Sequence, residues 1–391
     1  MSHSLSHAAI QTVGHYRVPM HQKPTADLAD RIARAQVQAR RLGIGALIVS
    51  PGPDLRYLIG YDAIALERLT ALIVPAEGDP ALVVPLLEHP AALASPAGAL
   101  GIDLLTWGET DNPYELVART VGPAESVAVD NRMWAEKAIR LRAAMPDIDQ
   151  RLAGEVINHL RMRKTPSEIA SLKAAGEAID SVHAQVHTWL RAGRTEREVG
   201  RDIADAIIAA GHVSVDFVIV ASGPNGASPH HEVSDRVIER GDPVVVDIGG
   251  TMPDGYCSDE TRTYAVGEPS EAFLTSYAAL EHAQAAAVAH VRPGVTCESV
   301  DATARDLLTQ SGLGELFIHR TGHGIGLETH EEPYIVSGNT ELLEPGFAFS
   351  IEPGFYLAGV YGARIEDIVV CGDDGPLLMN ERPRSLAVVD V

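Results

Sequence analysis

The sequence predicts two domains, a small α/β domain followed by a larger domain of mixed helices and strands that consists of two similar halves. The chain has 391 residues, more than one ordinary hydrophobic core accommodates, and its 46% hydrophobic content can fill two cores. Short β-branched runs alternate with helical patterns in the first part of the chain. In the second part, a set of residues recurs at a fixed spacing.

The first predicted domain begins with an amphipathic helix. Apolar residues recur at helical spacing over residues 25–42, and Gly43 is placed to end that helix. A second helical pattern covers residues 133–143. Four short β-branched runs predict the strands Ala46–Val49, Ala71–Val74, Ala81–Val84 and Val127–Asp130. We therefore expect an α/β domain over residues 25–155, preceded by a partly disordered leader of residues 1–24.

The second predicted domain, residues 160–391, begins close to a strong helix-start signal. Thr165 is the expected N-cap and Glu168 completes a capping box, which stabilises a helix by roughly 1 kcal/mol. The apolar face of this helix continues toward Gly193, where we expect the helix to end. We interpret His183 and His187, within this helix, as structural residues.

The internal repeat in the second domain consists of two helix pairs that are each punctuated by glycine. Each member of the second set lies 101 positions after its counterpart, as 294 minus 193 shows. The repeat predicts two similar halves. Gly193, Thr195, Val199, Asp205 and Gly211 recur as Gly294, Thr296, Val300, Asp306 and Gly312.

Charge and composition exclude several classes of partner. The formal net charge of −22 argues against nucleic acid and anionic membranes, because both are bound through clustered lysine and arginine. Three cysteines at wide spacings fit neither a disulfide framework nor a thiolate zinc site. The sequence has no signal-peptide pattern and no apolar stretch long enough to cross a membrane. We therefore expect a cytoplasmic protein.

Two aspartates of the first half are predicted to lie side by side. Asp247 follows three valines, so its carboxylate is expected to point into the protein interior, where an acid needs a partner. An Asp254-Gly255 turn then returns the chain toward Asp259. The two strands of this hairpin would place both carboxylates next to each other.

The second half supplies His323, His330, Glu352 and Glu366 at strand-like positions. If the four carboxylates converge, each pair at about 4 Å repels by about 4 kcal/mol at an effective dielectric of about 20, which threatens the stability of a fold. Divalent cations resolve this repulsion, and four carboxylates with one imidazole can hold two ions. Because the donors are mostly hard oxygens, we expect manganese, with cobalt, iron and zinc as alternatives.

Other catalytic motifs are absent from the sequence. Neither His-Glu pair is followed by the histidine that H-E-x-x-H requires, and GHGIG lacks the dinucleotide-binding spacing. A G-x-S-x-G nucleophile elbow is also missing, which argues against a serine hydrolase.

Five segments of the second domain occur in a recognisable order: D-x-G, SDETRT, GHGIG with HEEP, SIEPG and RIED. With these segments the chain resembles the metallopeptidase family of prolidase, aminopeptidase P and methionine aminopeptidase. The resemblance implies an α+β C-terminal pita-bread domain of the creatinase/aminopeptidase type with an internal pseudo-twofold repeat. The first domain resembles the smaller N-terminal domain of prolidases.

The resemblance also implies the ligands of a two-metal site, with two of the acids bridging the ions. The bridging positions match Asp259 and Glu366. The full ligand set that the resemblance implies is Asp247, Asp259, His323, Glu352 and Glu366.

Further roles follow from the same resemblance. It implies that His230 and His330 contact the substrate, with His230 near the scissile amide and His330 stabilising the oxyanion. It implies that Glu352 accepts the proton of the attacking water and that Arg364 binds the substrate. His231 adjoins His230, and we favour His230 because its Pro-His position matches the family pattern.

The activity implied is hydrolysis of the peptide bond that precedes proline in short peptides. The compact first domain favours an Xaa-Pro dipeptidase, or prolidase. The alternatives are an Xaa-Pro aminopeptidase that acts on longer peptides, a creatinase-like hydrolase that is not a peptidase, and a catalytically silent binding protein. Because relatives commonly dimerise, we expect a homodimer in which the loop Tyr61–Arg68 reaches the active site of the partner.

Overall fold

The computed structural model describes residues 25–389, so the predicted leader, residues 1–24, lies outside the described residues. The first part of the chain forms a mixed sheet of six strands. These strands are β1 (Ala46–Val49), β2 (Ala71–Pro75), β3 (Ala81–Pro85), β4 (Asp103–Trp107), β5 (Ser126–Val129) and β6 (Asp149–Leu152). Their order is β4-β3-β2-β1-β5-β6, with β1 antiparallel to β2 and parallel to β5. The four predicted strands are confirmed to within one residue at each end.

Six α-helices accompany this sheet. They are α1 (Thr25–Arg41), α2 (Pro53–Ile59), α3 (His89–Ala94), α4 (Pro113–Val121), α5 (Ala135–Ala144) and α6 (Gly154–Met162). The predicted amphipathic helix is α1, which buries Leu28, Ile32, Ala35 and Ala39 and is followed by Gly43 at φ 69°. Alternation of helices and strands confirms the α/β class of this part of the chain.

The first half of the remaining chain contains three helices and a three-stranded antiparallel unit. The elements are α7 (Pro166–His183), α8 (Val186–Trp189), α9 (Glu196–Ala209), β7 (Ser214–Ser222), β8 (Pro243–Thr251) and β9 (Cys257–Val266). Both bonds of the capping box at Thr165 are present, as predicted. The prediction of one helix up to Gly193 was wrong. The backbone N–H of Gln185 donates a hydrogen bond to Val182 O, three residues earlier instead of four, and this tighter turn ends α7 beside the buried side chain of His183.

The second half repeats the helix pair and then adds shorter strands. Its elements are α10 (Glu271–His290), α11 (Cys297–Gln310), β10 (Gly322–Gly324), β11 (Glu331–Ile335), β12 (Ala348–Ile351), β13 (Gly354–Leu357), β14 (Tyr361–Arg364), β15 (Asp367–Cys371), β16 (Pro376–Leu378) and β17 (Ala387–Val389). One sheet has the order β17-β9-β8-β7 and another β11-β10-β12-β15-β16, while β13 pairs with β14.

The two halves repeat each other in backbone detail. Thr195 caps α9 and Thr296 caps α11, and the glycine two residues before each cap has φ 88° or 86°. Each capping threonine also forms an isolated bridge to a later segment, to Val237 in the first half and to Leu342 in the second. The predicted internal repeat is therefore confirmed.

One hydrophobic cluster extends from the first sheet into the second part of the chain. It includes Leu47 and Leu72 of the first sheet together with Tyr256, Ile325 and Ile368. Shared burial of this kind fixes the orientation of the two parts. Among the described helices, none is both long and apolar enough to span a bilayer.

Candidate metal centre

Asp247 and Asp259 come from the paired strands β8 and β9. Asp247 lies opposite Thr261, and Asp259 lies opposite Gly249, so both carboxylates emerge on the same face as diagonal neighbours. They are 8% and 3% exposed. The predicted hairpin is present, and it brings two acids into the interior of the protein.

The second half brings three more side chains to this place. His323 lies on β10, Glu352 follows β12, and Glu366 lies between β14 and β15. His323 Nε2 is 3.7 Å from Asp259 Oδ2 and 3.2 Å from Glu352 Oε1. Ligand atoms of Asp259, His323 and Glu366 lie within 4.8 Å of one another. Side chains from both halves thus converge on one cluster.

Threonine side chains join the two halves directly behind the carboxylates. Thr261 Oγ1 donates to Glu366 Oε2 at 2.8 Å, and Glu366 N donates to Thr261 O at 3.1 Å. Thr263 Oγ1 accepts from Arg364 N at 3.2 Å and donates to Arg364 O at 2.9 Å. These bonds hold Glu366 against the strand that carries Asp259.

The orientation of His323 leaves one ring nitrogen available to the cluster. Its Nδ1 lies 3.1 Å from Gly324 O, and because a carbonyl only accepts, Nδ1 carries the proton. Nε2 then faces the carboxylates with its lone pair, the arrangement of a metal-binding histidine. Ser350 Oγ accepts from His323 N and donates to Glu352 Oε1, at 3.0 and 3.1 Å, which orders both side chains together.

Four carboxylates share this interior with few positive charges. Burial, reinforced by Glu366 and Asp247, raises the pKa of Asp259 well above its ordinary value, and burial with Glu352 and Asp247 does the same for Glu366. Asp247 Oδ1 and Glu366 Oε1 are buried without a hydrogen-bond partner among the described residues. Unpaired buried oxygens are costly. The oxygen-rich donor set with one imidazole therefore fits divalent cations, which supply the missing charge.

His330 lies beside the cluster, with its ring centroid 4.0 Å from that of His323. Partial burial, followed by the proximity of His323, lowers the pKa of His330 to about 4. The ring is therefore neutral near pH 7. A neutral imidazole both donates and accepts hydrogen bonds, which suits contact with a peptide group.

The two adjacent histidines after β7 have different surroundings. His231 Nε2 bonds buried Glu196 Oε2 at 2.8 Å, so this ring is directed at the helix α9. His230 is exposed and makes no hydrogen bond with the described residues. It is close enough to His330 to contribute to the lowered pKa of that ring. Of the pair, His231 is therefore tied to α9, while His230 keeps an exposed side chain.

Arg364 enters the cluster through a network that the sequence did not reveal. Its guanidinium pairs with Asp247 Oδ2, donates to Thr261 Oγ1 at 3.1 Å and donates to Tyr356 OH at 2.9 Å. His319 Nε2 lies 2.8 Å from the same hydroxyl. Tyr356 and His319 were not predicted, because neither has a charge pattern or spacing that separates it from an ordinary core residue.

Two family models match the chain on either side of the connection between its two parts. Residues 170–373 match metallopeptidase family M24, and residues 31–163 match the creatinase/prolidase N-terminal domain. The chain belongs to metallopeptidase family M24 and has the pita-bread fold of that family. It is a metallopeptidase, and family membership implies the divalent metal binding that the buried carboxylates fit.

Similar proteins match over nearly their full lengths. The probable dipeptidase PepE of Mycobacterium tuberculosis is 52% identical over 364 residues, covering 93% of this chain and 97% of that protein. The Xaa-Pro dipeptidase of Lactobacillus delbrueckii subsp. lactis is 35% identical over 360 residues, covering 89% and 96%. The crystal structure of dipeptidase PepE from Mycobacterium ulcerans has a TM-score of 0.92 at 52% identity, covering 95% of this chain and all of that one, 100%. The predicted family and fold class are confirmed.

Proposed function

We propose that this metallopeptidase is an Xaa-Pro dipeptidase that uses two divalent metal ions to hydrolyse the bond preceding proline in short peptides. The convergence of four carboxylates and His323, with buried oxygens that have no hydrogen-bond partner within residues 25–389, carries the proposal. The names of similar proteins, dipeptidase and Xaa-Pro dipeptidase, support the substrate class.

The proposed metal ligands are five side chains from both halves of the repeat. Manganese is the favoured metal because carboxylates predominate, with cobalt, zinc and iron as alternatives. Divalent ions at this position supply Lewis-acid activation of water and of the substrate carbonyl. The ligands are Asp247, Asp259, His323, Glu352 and Glu366, of which Asp259 and Glu366 are proposed to bridge.

Glu352 is the proposed acceptor of the proton that the attacking water loses. Its side chain is 15% exposed, whereas the side chains of Asp259 and His323 are each 4% exposed, so Glu352 is the more accessible to solvent. Its Oε1 is oriented by the hydrogen bond from Ser350. A general base needs both access and orientation, which these contacts support.

The remaining roles belong to side chains at the margin of the cluster. We propose that His330 donates to the developing oxyanion, because the residue is accessible to solvent while its ring packs against that of His323. His230 is proposed to contact the scissile amide. Arg364 is proposed to bind substrate from its position beside the cluster, where its guanidinium pairs with Asp247.

A broader dipeptidase activity is the second candidate. The proteins at 52% identity are named dipeptidases without mention of proline.

The proposal also covers the organisation of the protein in the cell. We propose residues 25–155 and 160–391 as the two domains and a homodimer located in the cytoplasm. The loop Tyr61–Arg68 includes Ile64 and Leu66, which are 72% and 40% exposed, and an association that covers them would remove apolar surface from water. Sedimentation of a monomer at working concentration would contradict the dimer.

The decisive experiment is an assay of manganese-loaded protein against Xaa-Pro dipeptides, Xaa-Pro-Yaa tripeptides and a proline-free dipeptide, with a chelated sample in parallel. Chelator-sensitive cleavage of Xaa-Pro dipeptides alone is the expected result. Cleavage of tripeptides indicates an aminopeptidase, and cleavage of the proline-free dipeptide indicates the broader enzyme. Undiminished activity after complete metal removal would reject a metal-dependent mechanism.

A further inference from the structure

Glu196, the first residue of α9, is a buried carboxylate outside the candidate metal centre that has an unusual number of partners. It is 0% exposed. Both of its oxygens accept hydrogen bonds from residues 222–234, the segment that contains His230 and His231. A buried carboxylate requires full compensation, and here it comes from one loop.

The contacts divide between the two carboxylate oxygens. Oε1 accepts from Ser222 N at 2.8 Å, Ser222 Oγ at 2.7 Å and Asn225 Nδ2 at 3.0 Å. Oε2 accepts from Asn225 Nδ2 at 3.1 Å, His231 Nε2 at 2.8 Å, Ser234 N at 3.2 Å and Ser234 Oγ at 2.6 Å. Glu196 therefore binds the start, the middle and the end of the loop.

The charged form of Glu196 suits this arrangement. Burial alone raises its pKa, but the hydrogen bonds from Ser234 and Ser222 outweigh burial and lower it. An ionised carboxylate accepts hydrogen bonds and donates none, so every one of these partners must present a donor. A glutamine at the same position would present an NH₂ group to some of those donors.

The opposite side of the loop is held by β14. A Cβ atom at Gly362 would lie 2.0 Å from Gly226 O, so the two backbones meet at a distance that only glycine permits. Arg364 NH1 also reaches Pro229 O at 3.4 Å. The loop is thus fixed between α9 and β14, the strand that carries Arg364.

We propose that Glu196 is a positioning residue that sets the loop so that His231 is tethered and His230 faces the metal cluster. The inference rests on the proposed function, since it concerns the histidine assigned to the scissile amide. His231 and His230 are consecutive, so a tether on one ring determines the direction of the backbone that carries the other. Glu196 does not touch the substrate; it acts through His230.

A double-mutant cycle tests this inference on the full-length, manganese-loaded enzyme. Glu196→Gln is expected to lower kcat on an Xaa-Pro dipeptide about 10- to 100-fold with KM nearly unchanged, because a misplacement of about 1 Å has effects of this size. In a His230→Ala background, Glu196→Gln is expected to have little further effect. A purely structural role would reduce activity by the same factor in both backgrounds, and that result would overturn the proposal.

Two further variants keep the test informative. Glu198→Gln is the matched control, since Glu198 lies on the same helix and bonds Thr195 N rather than the loop. It is expected to behave like the unaltered protein. If Glu196→Gln does not fold, Ser234→Ala removes a single donor and is expected to show a smaller loss of kcat with the same dependence on His230. Full kcat in Ser234→Ala and in Glu196→Gln would reject the positioning role.

Crystal structures of the unaltered protein and Glu196→Gln provide a readout that does not depend on the substrate. Residues 229–231 are expected to shift relative to β14 while the five proposed metal ligands superimpose. Unchanged positions of residues 229–231 would reject the inference even if no Xaa-Pro peptide is cleaved. Failure of the unaltered enzyme to cleave such peptides would instead reject the proposed function.

Discussion

Two buried groups of carboxylates in this protein are compensated in opposite ways. The acidic cluster consists of Asp247, Asp259, Glu352 and Glu366. The joint cluster consists of Asp54, Glu328 and Glu331 with Arg132, Arg161 and Lys164, and it connects the first part of the chain to the segment around His330. Both groups contain carboxylates with little exposed surface.

The joint cluster contains its own cations. Arg161 NH1 lies 2.7 Å from Asp54 Oδ1, Lys164 Nζ lies 2.6 Å from Glu331 Oε1, and Arg161 also pairs with Glu331. Burial would raise the pKa of Glu331, but Arg161 and Lys164 lower it below its ordinary value. In the acidic cluster, the pKa of Asp259 and that of Glu366 move up instead.

The difference shows that burial alone does not decide the state of a carboxylate. The joint cluster is complete because the chain supplies opposite charge at hydrogen-bond distance. The acidic cluster has Arg364 on Asp247 and one imidazole, and in the part of the chain that the structure describes two of its buried oxygens have no hydrogen-bond partner. The first arrangement suits a permanent structural contact, and the second suits a site that binds ions.

The largest expected effect is on activity, from a change in the acidic cluster. Asp259→Asn removes a carboxylate that we propose bridges two ions, and kcat/KM on an Xaa-Pro dipeptide is expected to fall about 10⁴-fold, or about 5.5 kcal/mol. Steady-state kinetics combined with measurement of bound metal checks this. Asp254→Asn, in the turn of the same hairpin, is the matched control and is expected to keep full activity. An Asp259→Asn enzyme with both metals and full turnover would remove the bridging role.

The next effect is on stability, from a change in the joint cluster. Glu331→Ala leaves Lys164 buried without its carboxylate and removes one of the three carboxylates that pair with Arg161. Breaking a buried pair in this way is expected to lower the free energy of unfolding by about 3–5 kcal/mol. Urea denaturation at pH 7 measures the loss.

A control for that measurement lies on the same helix as Arg161. Glu155→Ala removes an exposed partner of Arg151, and such a surface pair contributes little. The urea midpoint is expected to stay where it is in the unaltered protein. If Glu331→Ala also left the midpoint in place, the ion pairs of the joint would not be what holds the two parts together.

The smallest effect comes from adding metal rather than removing a side chain. Manganese at about 100 times its Kd is expected to raise the free energy of unfolding by about 2.7 kcal/mol, because it binds the folded state only. The Glu331→Ala variant is expected to gain the same increment, because Arg161 and Lys164 lie outside the site that binds manganese. Urea denaturation with manganese and with chelator measures this gain in the free energy of unfolding. If Asp259→Asn showed the same gain, the metal would bind at a site other than the acidic cluster.

Much of the fold followed from local sequence signals. The helix before Gly43, the capping box at Thr165 and the strands of the first sheet were predictable because periodicity and capping act over a few residues. The break after His183 was not. It coincides with a histidine whose ring bonds Tyr264 and the Glu260 carbonyl, about eighty positions away, and no local pattern encodes such contacts.

The candidate site divides in the same way. The sequence alone determined which acids were candidates, because a carboxylate after buried strand residues is unusual and the hairpin between Asp247 and Asp259 sets their register locally. The resemblance favoured His230 over His231, but the contact that ties His231 to Glu196 is visible only in the tertiary structure. The tertiary structure alone also reveals the contacts that Tyr356 makes with Arg364 and His319. Neighbours in the sequence share a backbone direction, but the partners that orient their side chains come from distant segments, and packing alone brings those together.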